Sequence, residues 1–411
     1  MDYAEPTPKL SIPYLCKGLG RAFVWRRKYR HGVKLAAWIV SLGLGAASVG
    51  VDPSLPQVLS VGRPLGQGAS QRLPAQPRLI WKARFADTLD HGARVDPMGR
   101  TVVVTSSGLV AQLDHRGKQQ WSLTLDSPPA TPITLLPDGG RALVTLAQRL
   151  LVWDSRGNQR FELQLSTAQS ALSLLALPDS SLVIGSGSHV YQVEPSGRLR
   201  VHAKVASSVG YLVPCGERIA VVLRTGEVVE WRIGAKPRPL GSLGSTPPLS
   251  PVCHQGKLLS VQSDGSLVEL DLANGFRERR VSGKSELLGS PVVLGKRIHV
   301  FSRQGLLLRF DTQGNETLRI PLVRRFQQGA LLMAGQQRLA FGAAELGVGF
   351  VGPKGEVSSI EGINCDMPRG LQSAGPGKLL VSCEGGTLWM FGDAKVKQER
   401  RKPVEAKTKS P

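Results

Sequence analysis

The sequence predicts an all-β, eight-bladed β-propeller that follows an N-terminal transmembrane or signal helix. Three observations lead to this prediction. Turn glycines recur about every 40 residues through most of the 411-residue chain. Inside each repeat, short apolar strands are separated by polar turns. Near the N-terminus, an uncharged apolar run of 17 residues directly follows a cluster of basic residues.

The repeat is clearest in the glycine of the turn after the third strand of each unit. Its spacing is 37 to 41 residues, at positions Gly117, Gly157, Gly197, Gly234, Gly275, Gly314 and Gly355. Within a unit the strands are short, alternate with a period near two, and end at Gly, Pro, Asp or Asn. Four such strands in about 40 residues make one propeller blade. Eight units fit between residues 80 and 393, and they must pack side by side because one blade cannot bury its own apolar face.

The two ends of the repeat region are predicted to meet. The last unit stops after its third strand, at residues 388–391, and residues 80–85 resemble the fourth-strand segments that contain Trp121 and Phe161. We therefore predict that residues 80–85 form the outer strand of the last blade, which removes an exposed sheet edge. The tryptophans of the strands are expected to pack between blades; they are Trp81, Trp121, Trp153, Trp231 and Trp389.

The apolar run at residues 35–51 divides the chain. We expect it to be an uncleaved inner-membrane anchor, because seventeen residues reach the lower limit for a spanning helix and the basic flank marks the cytoplasmic side. Residues 1–34 are then a basic cytoplasmic segment, 52–79 a Pro- and Gly-rich linker, 80–393 the periplasmic propeller and 394–411 a basic disordered tail. The alternatives are a signal peptide cleaved near Ala46-Ala47-Ser48, which leaves a secreted periplasmic protein, and a buried soluble helix.

About half of the formal charge of +21 lies in the two tails. Residues 1–34 have a net charge of +6 and residues 395–411 one of +5. Basic charge of this kind suits anionic lipid, the cell wall or nucleic acid. We do not expect a nucleic-acid partner, because no recognised binding module accompanies the charge.

The repeat resembles that of the quinoprotein-like, or PQQ-repeat, propeller family. The resemblance rests on the run GLVAQLDHRGKQQW from Gly108 to Trp121 and on its weaker copies. The family includes quinone-dependent alcohol dehydrogenases, which hold PQQ and Ca²⁺ in the channel, and the propeller subunit of the outer-membrane barrel assembly machinery. That subunit is a lipoprotein, whereas here no cysteine lies at the end of the apolar run, where a lipid would be attached; the next cysteine is Cys215.

The sequence predicts no catalytic, cofactor-binding or metal-binding residues. The chain lacks the adjacent cysteines that many of the alcohol dehydrogenases carry, and its seven histidines are scattered. The acids that recur in the repeats are interpreted as turn-forming residues; they are Asp114, Asp154, Asp271 and Asp311. The best candidate for a partner contact is Arg324-Arg325-Phe326, which opens the seventh unit.

The cysteines are compatible with an oxidising compartment. Cys16 precedes the apolar run, and an even number of cysteines follows it. The pairs Cys365–Cys383 and Cys215–Cys253 are the disulfides we expect among three possible pairings. The alternative is four buried free thiols that act as small apolar residues.

Together these features predict a membrane-tethered, non-catalytic propeller that acts as a protein-interaction scaffold in the bacterial cell envelope. An envelope protein is the expected partner, and residues 35–51 are the expected contact with the inner membrane. The alternatives are a PQQ-dependent oxidoreductase and a sensor or cell-wall-binding module. No cofactor is predicted, and the sequence indicates no particular small-molecule ligand.

Overall fold

The structure, a computed structural model, describes most of the chain between residues 72 and 393. The described ranges are 72–165, 172–232, 235–244, 248–262, 264–275, 277–281, 286–322, 331–335, 338–344 and 346–393. The basic N-terminal segment, the apolar run at 35–51 and the basic tail lie outside them. Within the described ranges, no helix is long and apolar enough to cross a membrane.

The described residues form eight four-stranded antiparallel sheets, which are the predicted blades. Blades 1 to 4 contain β2 (Ala93–Val95), β3 (Thr101–Val104), β4 (Leu109–Leu113), β5 (Gln119–Thr124), β6 (Thr134–Leu135), β7 (Arg141–Val144), β8 (Arg149–Trp153), β9 (Gln159–Gln164), β10 (Leu172–Ala176), β11 (Leu182–Ser186), β12 (His189–Val193), β13 (Leu199–Lys204), β14 (Val209–Cys215), β15 (Arg218–Leu223), β16 (Glu227–Arg232) and β17 (Arg238–Ser242).

The remaining strands make blades 5 to 8, and the first strand of the chain belongs to the last blade. They are β18 (Pro248–His254), β19 (Lys257–Gln262), β20 (Leu267–Asp271), β21 (Arg277–Val281), β22 (Leu287–Leu294), β23 (Arg297–Ser302), β24 (Leu306–Phe310), β25 (Glu316–Pro321), β26 (Leu331–Ala334), β27 (Leu339–Ala343), β28 (Gly347–Val351), β29 (Val357–Ser359), β30 (Pro368–Ser373), β31 (Lys378–Cys383), β32 (Thr387–Asp393) and β1 (Pro77–Arg84).

The order of strands within each sheet follows the chain, except in blade 8. There the order is β1, β32, β31, β30, so the N-terminal strand is the outermost one. Trp81 lies opposite Met390, and Lys82 lies opposite Trp389 with its ammonium 4.2 Å from the indole centroid. The predicted closure is therefore confirmed: the two ends of the propeller pair in one sheet.

Burial explains the role of each strand position. The second and third strands are almost wholly apolar and buried, as in β7 and β8, because a neighbouring blade covers each face. The fourth strands alternate between half-buried and exposed residues, as in β5 and β9, because one face meets water. The first strands of successive blades contact one another and line the centre of the ring.

The recurring acids build turns, as the sequence predicted. The Asp114 carboxylate accepts hydrogen bonds from the backbone N–H groups of Arg116 and Lys118 at 2.8 and 2.9 Å. Asp154 and Asp311 bond the equivalent backbone groups of their own turns. These carboxylates fold the turn between third and fourth strands, which accounts for their recurrence.

Aromatic side chains of the fourth strands dock on glycines of the next blade. The Trp121 indole covers Gly157 so closely that a Cβ at this glycine would lie 2.9 Å from the ring, and Phe161 covers Gly197 in the same way. Both glycines have positive φ, of 90° and 88°. The turn glycine therefore serves two purposes, because it adopts a left-handed conformation and leaves room for the neighbouring ring.

The end of the predicted linker packs on the propeller. Leu73 is buried in the cluster that joins blades 7 and 8. The N–H groups of Ala75 and Gln76 donate to the Asp393 carboxylate at 2.7 and 3.1 Å. Because these contacts guide the chain onto the edge of β32, strand β1 begins at Pro77, three residues before the expected start.

Candidate functional site

The structure brings together the predicted cysteine pairs. Cys215, at the end of β14, is bonded to Cys253 in β18, so this disulfide joins the first strands of blades 4 and 5. Cys365 is bonded to Cys383 inside blade 8. The Cα atoms are 5.5 and 5.4 Å apart. The other predicted site, Arg324-Arg325-Phe326, lies outside the described residues.

The strands at the centre of the ring do not fit the quinone and Ca²⁺ held by the alcohol dehydrogenases of the family that the repeat resembles. The eight first strands contain no Asp or Glu, whereas Ca²⁺ takes carboxylate and carbonyl oxygens as ligands. Within the described ranges, no three His, Cys, Asp or Glu side chains converge to hold a metal ion. The residues of these strands therefore support no step through that cofactor.

A cavity of about 570 Å³ lies between blades 6 and 7, and we call it the blade 6–7 cavity. This volume is in the range of small-molecule sites. Its polar lining is basic, and it contains Lys296, Arg297, His299, Arg309 and Arg338. Its apolar lining consists of Leu294, Leu307, Leu318, Ile320, Leu339 and Val351. No acidic residue contributes to the lining.

Strand alternation explains how these side chains come together. His299 on β23 lies directly opposite Arg309 on β24, and Arg309 lies opposite Leu318 on β25. Arg297 lies two residues before His299, so both point to the same face of the sheet. That face packs on blade 7, where Arg338 and Leu339 complete the cavity.

Two cations of the cavity, Arg309 and Arg338, have neutral partners. Arg309 donates to the Pro353 carbonyl at 3.1 Å and to the Thr317 hydroxyl at 3.2 Å. Arg338 donates to the Ala75 carbonyl at 3.4 Å, and its guanidinium lies 4.5 Å above the Phe350 ring. Burial lowers the pKa of Arg309, and the nearby Arg297 lowers it further.

His299 is held neutral. Its side chain is buried, and burial together with the charges of Arg309 and Arg297 lowers its pKa from 6.5 to about 4. At neutral pH this imidazole therefore contributes hydrogen-bonding groups and no charge. The cavity thus combines a positive rim with an apolar interior, an arrangement that suits an anionic group attached to an apolar one.

The cavity was not predicted from the sequence, although the sequence contains one signal of it. Arg309 occupies the position of the third strand that lies two residues before the recurring acid. Gln112, Gln192 and Glu269 occupy it in blades 1, 3 and 5. A cation at a position otherwise held by neutral or acidic groups is visible once the repeats are aligned.

A comparison with known protein families supports the repeat type that the sequence indicated. A family model described as "Outer membrane protein assembly factor BamB" matches residues 73–210, which span β1 to the start of β14. No curated protein matches the chain at a significant level.

Solved structures match over the whole propeller at low identity. BamB from Moraxella catarrhalis is 14% identical with a TM-score of 0.62, and the match covers 77% of this chain and 100% of that one. The computationally designed Ika8 protein is 16% identical with a TM-score of 0.65, covering 79% and 100%. Virginiamycin B lyase from Staphylococcus aureus is 9% identical with a TM-score of 0.52, covering 77% and 99%.

At these identities the solved structures establish the fold alone. The family model adds the repeat type, on the stretch that contains the Gly108 to Trp121 run. The chain is thus an eight-bladed propeller that resembles the quinoprotein-like, PQQ-repeat family and, among its members, the propeller subunit of the outer-membrane barrel assembly machinery.

Proposed function

We propose that this chain is a membrane-tethered propeller that serves as a protein-interaction scaffold in the bacterial cell envelope. The observation that carries the proposal is the closed ring whose first blades match an assembly-factor model. In such a ring the blades hold the turns of both faces in fixed positions, and rigidly placed turns suit the binding of another protein.

The proposed location is the periplasmic side of the inner membrane, with residues 35–51 as the anchor. Two features support it. The basic cluster before residue 35 favours a cytoplasmic N-terminus, and the disulfides of the propeller favour an oxidising compartment. Protease treatment of spheroplasts tests this location: the propeller should be digested from outside while residues 1–34 stay protected. A mature N-terminus beyond residue 46 would instead indicate a cleaved signal.

Site-specific photo-crosslinking tests the scaffold role in intact cells. Met98, in the β2–β3 turn, and Leu146, in the β7–β8 turn, are exposed on opposite faces of the ring. Leu199 is exposed on the outer strand β13 and serves as the rim control. We expect a photoreactive residue at one face position to capture a discrete envelope protein that the rim position does not.

Two outcomes would contradict the scaffold role. Capture of cell wall without protein from either face would favour the cell-wall-binding alternative. Tight binding of PQQ with Ca²⁺, followed by turnover of an alcohol with dye reduction, would favour the oxidoreductase. The substrate of the second assay is a panel of short alcohols, and the readout is the rate of dye bleaching.

A further inference from the structure

Blade 6, which lines the blade 6–7 cavity, differs in charge from blades 4 and 5. Those two blades share an ion pair between their second and third strands. In blade 5, Lys257 at the start of β19 pairs with Glu269 on β20 at 2.8 Å. In blade 4, Arg218 at the start of β15 pairs with Glu230 on β16 at 3.1 Å. A cation at the start of the second strand and a glutamate on the third therefore form one ion pair in each of these blades.

Blade 6 keeps the cation and replaces the acid. Arg297 starts β23 as Lys257 starts β19, and Arg309 occupies the place of Glu269, because each lies two residues before the turn aspartate. Arg297 and Arg309 thus occupy the two positions that hold opposite charges in blades 4 and 5, and the charge of Arg297 lowers the pKa of Arg309 after the larger effect of burial. Like charges on neighbouring positions of paired strands add no stability to a sheet, so an ion pair within blade 6 does not account for Arg309.

The carboxylates near the cavity are bonded to other groups. Glu316, at the start of β25, forms an ion pair with Arg319 at 2.7 Å. Burial lowers the pKa of Arg338, and the charge of Asp393 opposes this shift only in part. The Asp393 carboxylate accepts hydrogen bonds from the backbone N–H groups of Ala75 and Gln76. In the described part of the chain, no ion pair with an acid is formed by Lys296, Arg297, Arg309 or Arg338.

The side chains that line the cavity limit which chemical groups a ligand can have. The lining has four cations, and a single carboxylate carries too little negative charge to neutralise them. A phosphate carries more charge, and its oxygens fit the paired N–H donors of a guanidinium group. The six aliphatic side chains offer an apolar surface of the size that a short hydrocarbon segment fills. A ligand that matches both the basic and the aliphatic side chains has a phosphate group at the basic rim and an apolar part inside the cavity.

We propose that the blade 6–7 cavity binds a phosphate-bearing ligand with a short apolar part. Arg297 and Arg309 hold the phosphate, Lys296 and Arg338 add positive potential, and the aliphatic residues contact the hydrocarbon. This inference is independent of the scaffold role, since it rests on the residues of the cavity. Two sources share this chemistry, namely the headgroup region of an anionic phospholipid and a soluble phosphate ester.

Calorimetric titration of the purified full chain tests the proposal. The probes are hexyl phosphate, hexanoate, hexanol and inorganic phosphate, at one ionic strength. We expect saturable binding of hexyl phosphate, at least tenfold tighter than that of hexanoate or inorganic phosphate and absent for hexanol. Dihexanoyl phosphatidylglycerol below its micelle concentration identifies the source: tighter binding than hexyl phosphate indicates a lipid, and weaker binding a soluble ester.

The deciding variant is Arg309→Glu, which restores the pair found in blades 4 and 5. It should bind hexyl phosphate at least tenfold more weakly while its melting temperature stays equal to or above that of the wild type. Arg297→Gln, at an exposed position, should weaken binding in the same direction. The matched control is Arg303→Glu, which makes the same charge change just after the opposite end of β23 and should leave binding within twofold.

The proposal is overturned by any of three results. The first is the absence of saturable binding of hexyl phosphate at 10 mM, roughly the limit of weak specific recognition. The second is equal weakening by Arg303→Glu and Arg309→Glu, which would indicate net charge and no site. The third is a folded Arg309→Glu protein that binds as the wild type does.

Discussion

The Trp81 indole packs on Gly117, so that a Cβ at this glycine would lie 2.7 Å from the ring. Trp81 belongs to the outer strand of blade 8, and Gly117 belongs to the turn between third and fourth strands of blade 1. Trp121 and Gly157 make the same contact between blades 1 and 2. The junction where the ring closes therefore uses the same interblade contact as the junctions inside the repeat.

Substitution of Gly117 by alanine should destabilise the propeller through this contact. Gly117 has a φ of 80°, and Gly256 has a φ of 77° with nothing within 4 Å of its Cβ position. Gly256→Ala thus carries the backbone cost alone, whereas Gly117→Ala also displaces the Trp81 ring. We expect Gly117→Ala to lower the free energy of unfolding by about 1–3 kcal/mol more than Gly256→Ala, measured by urea denaturation. Equal losses would mean that the ring moves aside without cost.

A buried ion pair should make the largest electrostatic contribution between blades 1 and 2. Arg141 donates to Asp96 at 2.9 Å and to the Gln112 side-chain oxygen at 2.6 Å, and both charged side chains are almost fully buried. Arg141→Met leaves the Asp96 carboxylate without its buried partner, so we expect a loss of about 3 kcal/mol in the free energy of unfolding.

The control for that prediction uses the same carboxylate. Arg100 also pairs with Asp96, at 2.7 Å, but its side chain is a quarter exposed. Arg100→Met should cost less than about 1 kcal/mol, because solvent screens this pair and replaces it. If both variants lose the same stability in denaturant titrations, burial does not set the strength of the Arg141 pair.

Stability should depend on pH through His299. Its pKa of about 4 in the fold lies below the ordinary value of 6.5, so between these values the unfolded chain binds a proton that the folded chain does not. The free energy of unfolding that depends on neutral His299 is therefore fully present above pH 6.5 and is lost as the pH falls toward 4. Its size is about 3 kcal/mol, which is the shift converted to free energy.

The measurement compares the wild type with His299→Gln between pH 7.5 and 4.5. The stability of the wild type should fall more steeply, with the difference reaching about 2–3 kcal/mol. His115→Gln, at an exposed turn residue, controls for loss of any histidine and should follow the wild type. Parallel curves for the wild type and His299→Gln would refute the role of this imidazole.

The disulfides should stabilise the propeller by restricting the unfolded chain. The pairs close segments of 18 and 38 residues. Chain entropy gives about 3 kcal/mol for segments of this length, with slightly more for the longer one. The variants Cys365→Ser/Cys383→Ser and Cys215→Ser/Cys253→Ser should each melt at lower temperature than the oxidised wild type.

Reduction provides the control. A reductant should lower the melting temperature of the wild type toward that of a variant without either disulfide, and it should leave that variant unchanged. Alkylation followed by mass measurement counts the thiols released. An oxidised wild type whose melting temperature does not respond to reductant would show that the bonds add no stability.

The fold was predictable because its causes are local and repeated. Alternation of apolar and polar residues gave the strands, and the glycine spacing gave the blades. The similarity of residues 80–85 to other fourth strands predicted closure, and β1 pairs with β32 as expected. The start of β1 at Pro77 was not predictable, because it depends on the Asp393 carboxylate more than 300 residues away.

The blade 6–7 cavity depends on contacts that no short stretch of sequence contains. Arg297 and Arg309 meet only through the register of β23 and β24, and Arg338 joins them from the next blade. Taken alone, each of these residues is an ordinary basic residue in or next to a strand.

The amino-acid order is thus sufficient for the number of blades, their strand order and the turn chemistry, since these follow from hydrogen bonding and periodicity within about 40 residues. Only the packing of blade 6 on blade 7 brings Arg297, Arg309 and Arg338 to one cavity. The sequence alone does not show this, because electrostatic partners are set by distance in space. The same propeller could have carried an ion pair at blade 6, as it does at Lys257 and Glu269. In this protein blade 6 carries two arginines, and both line the blade 6–7 cavity.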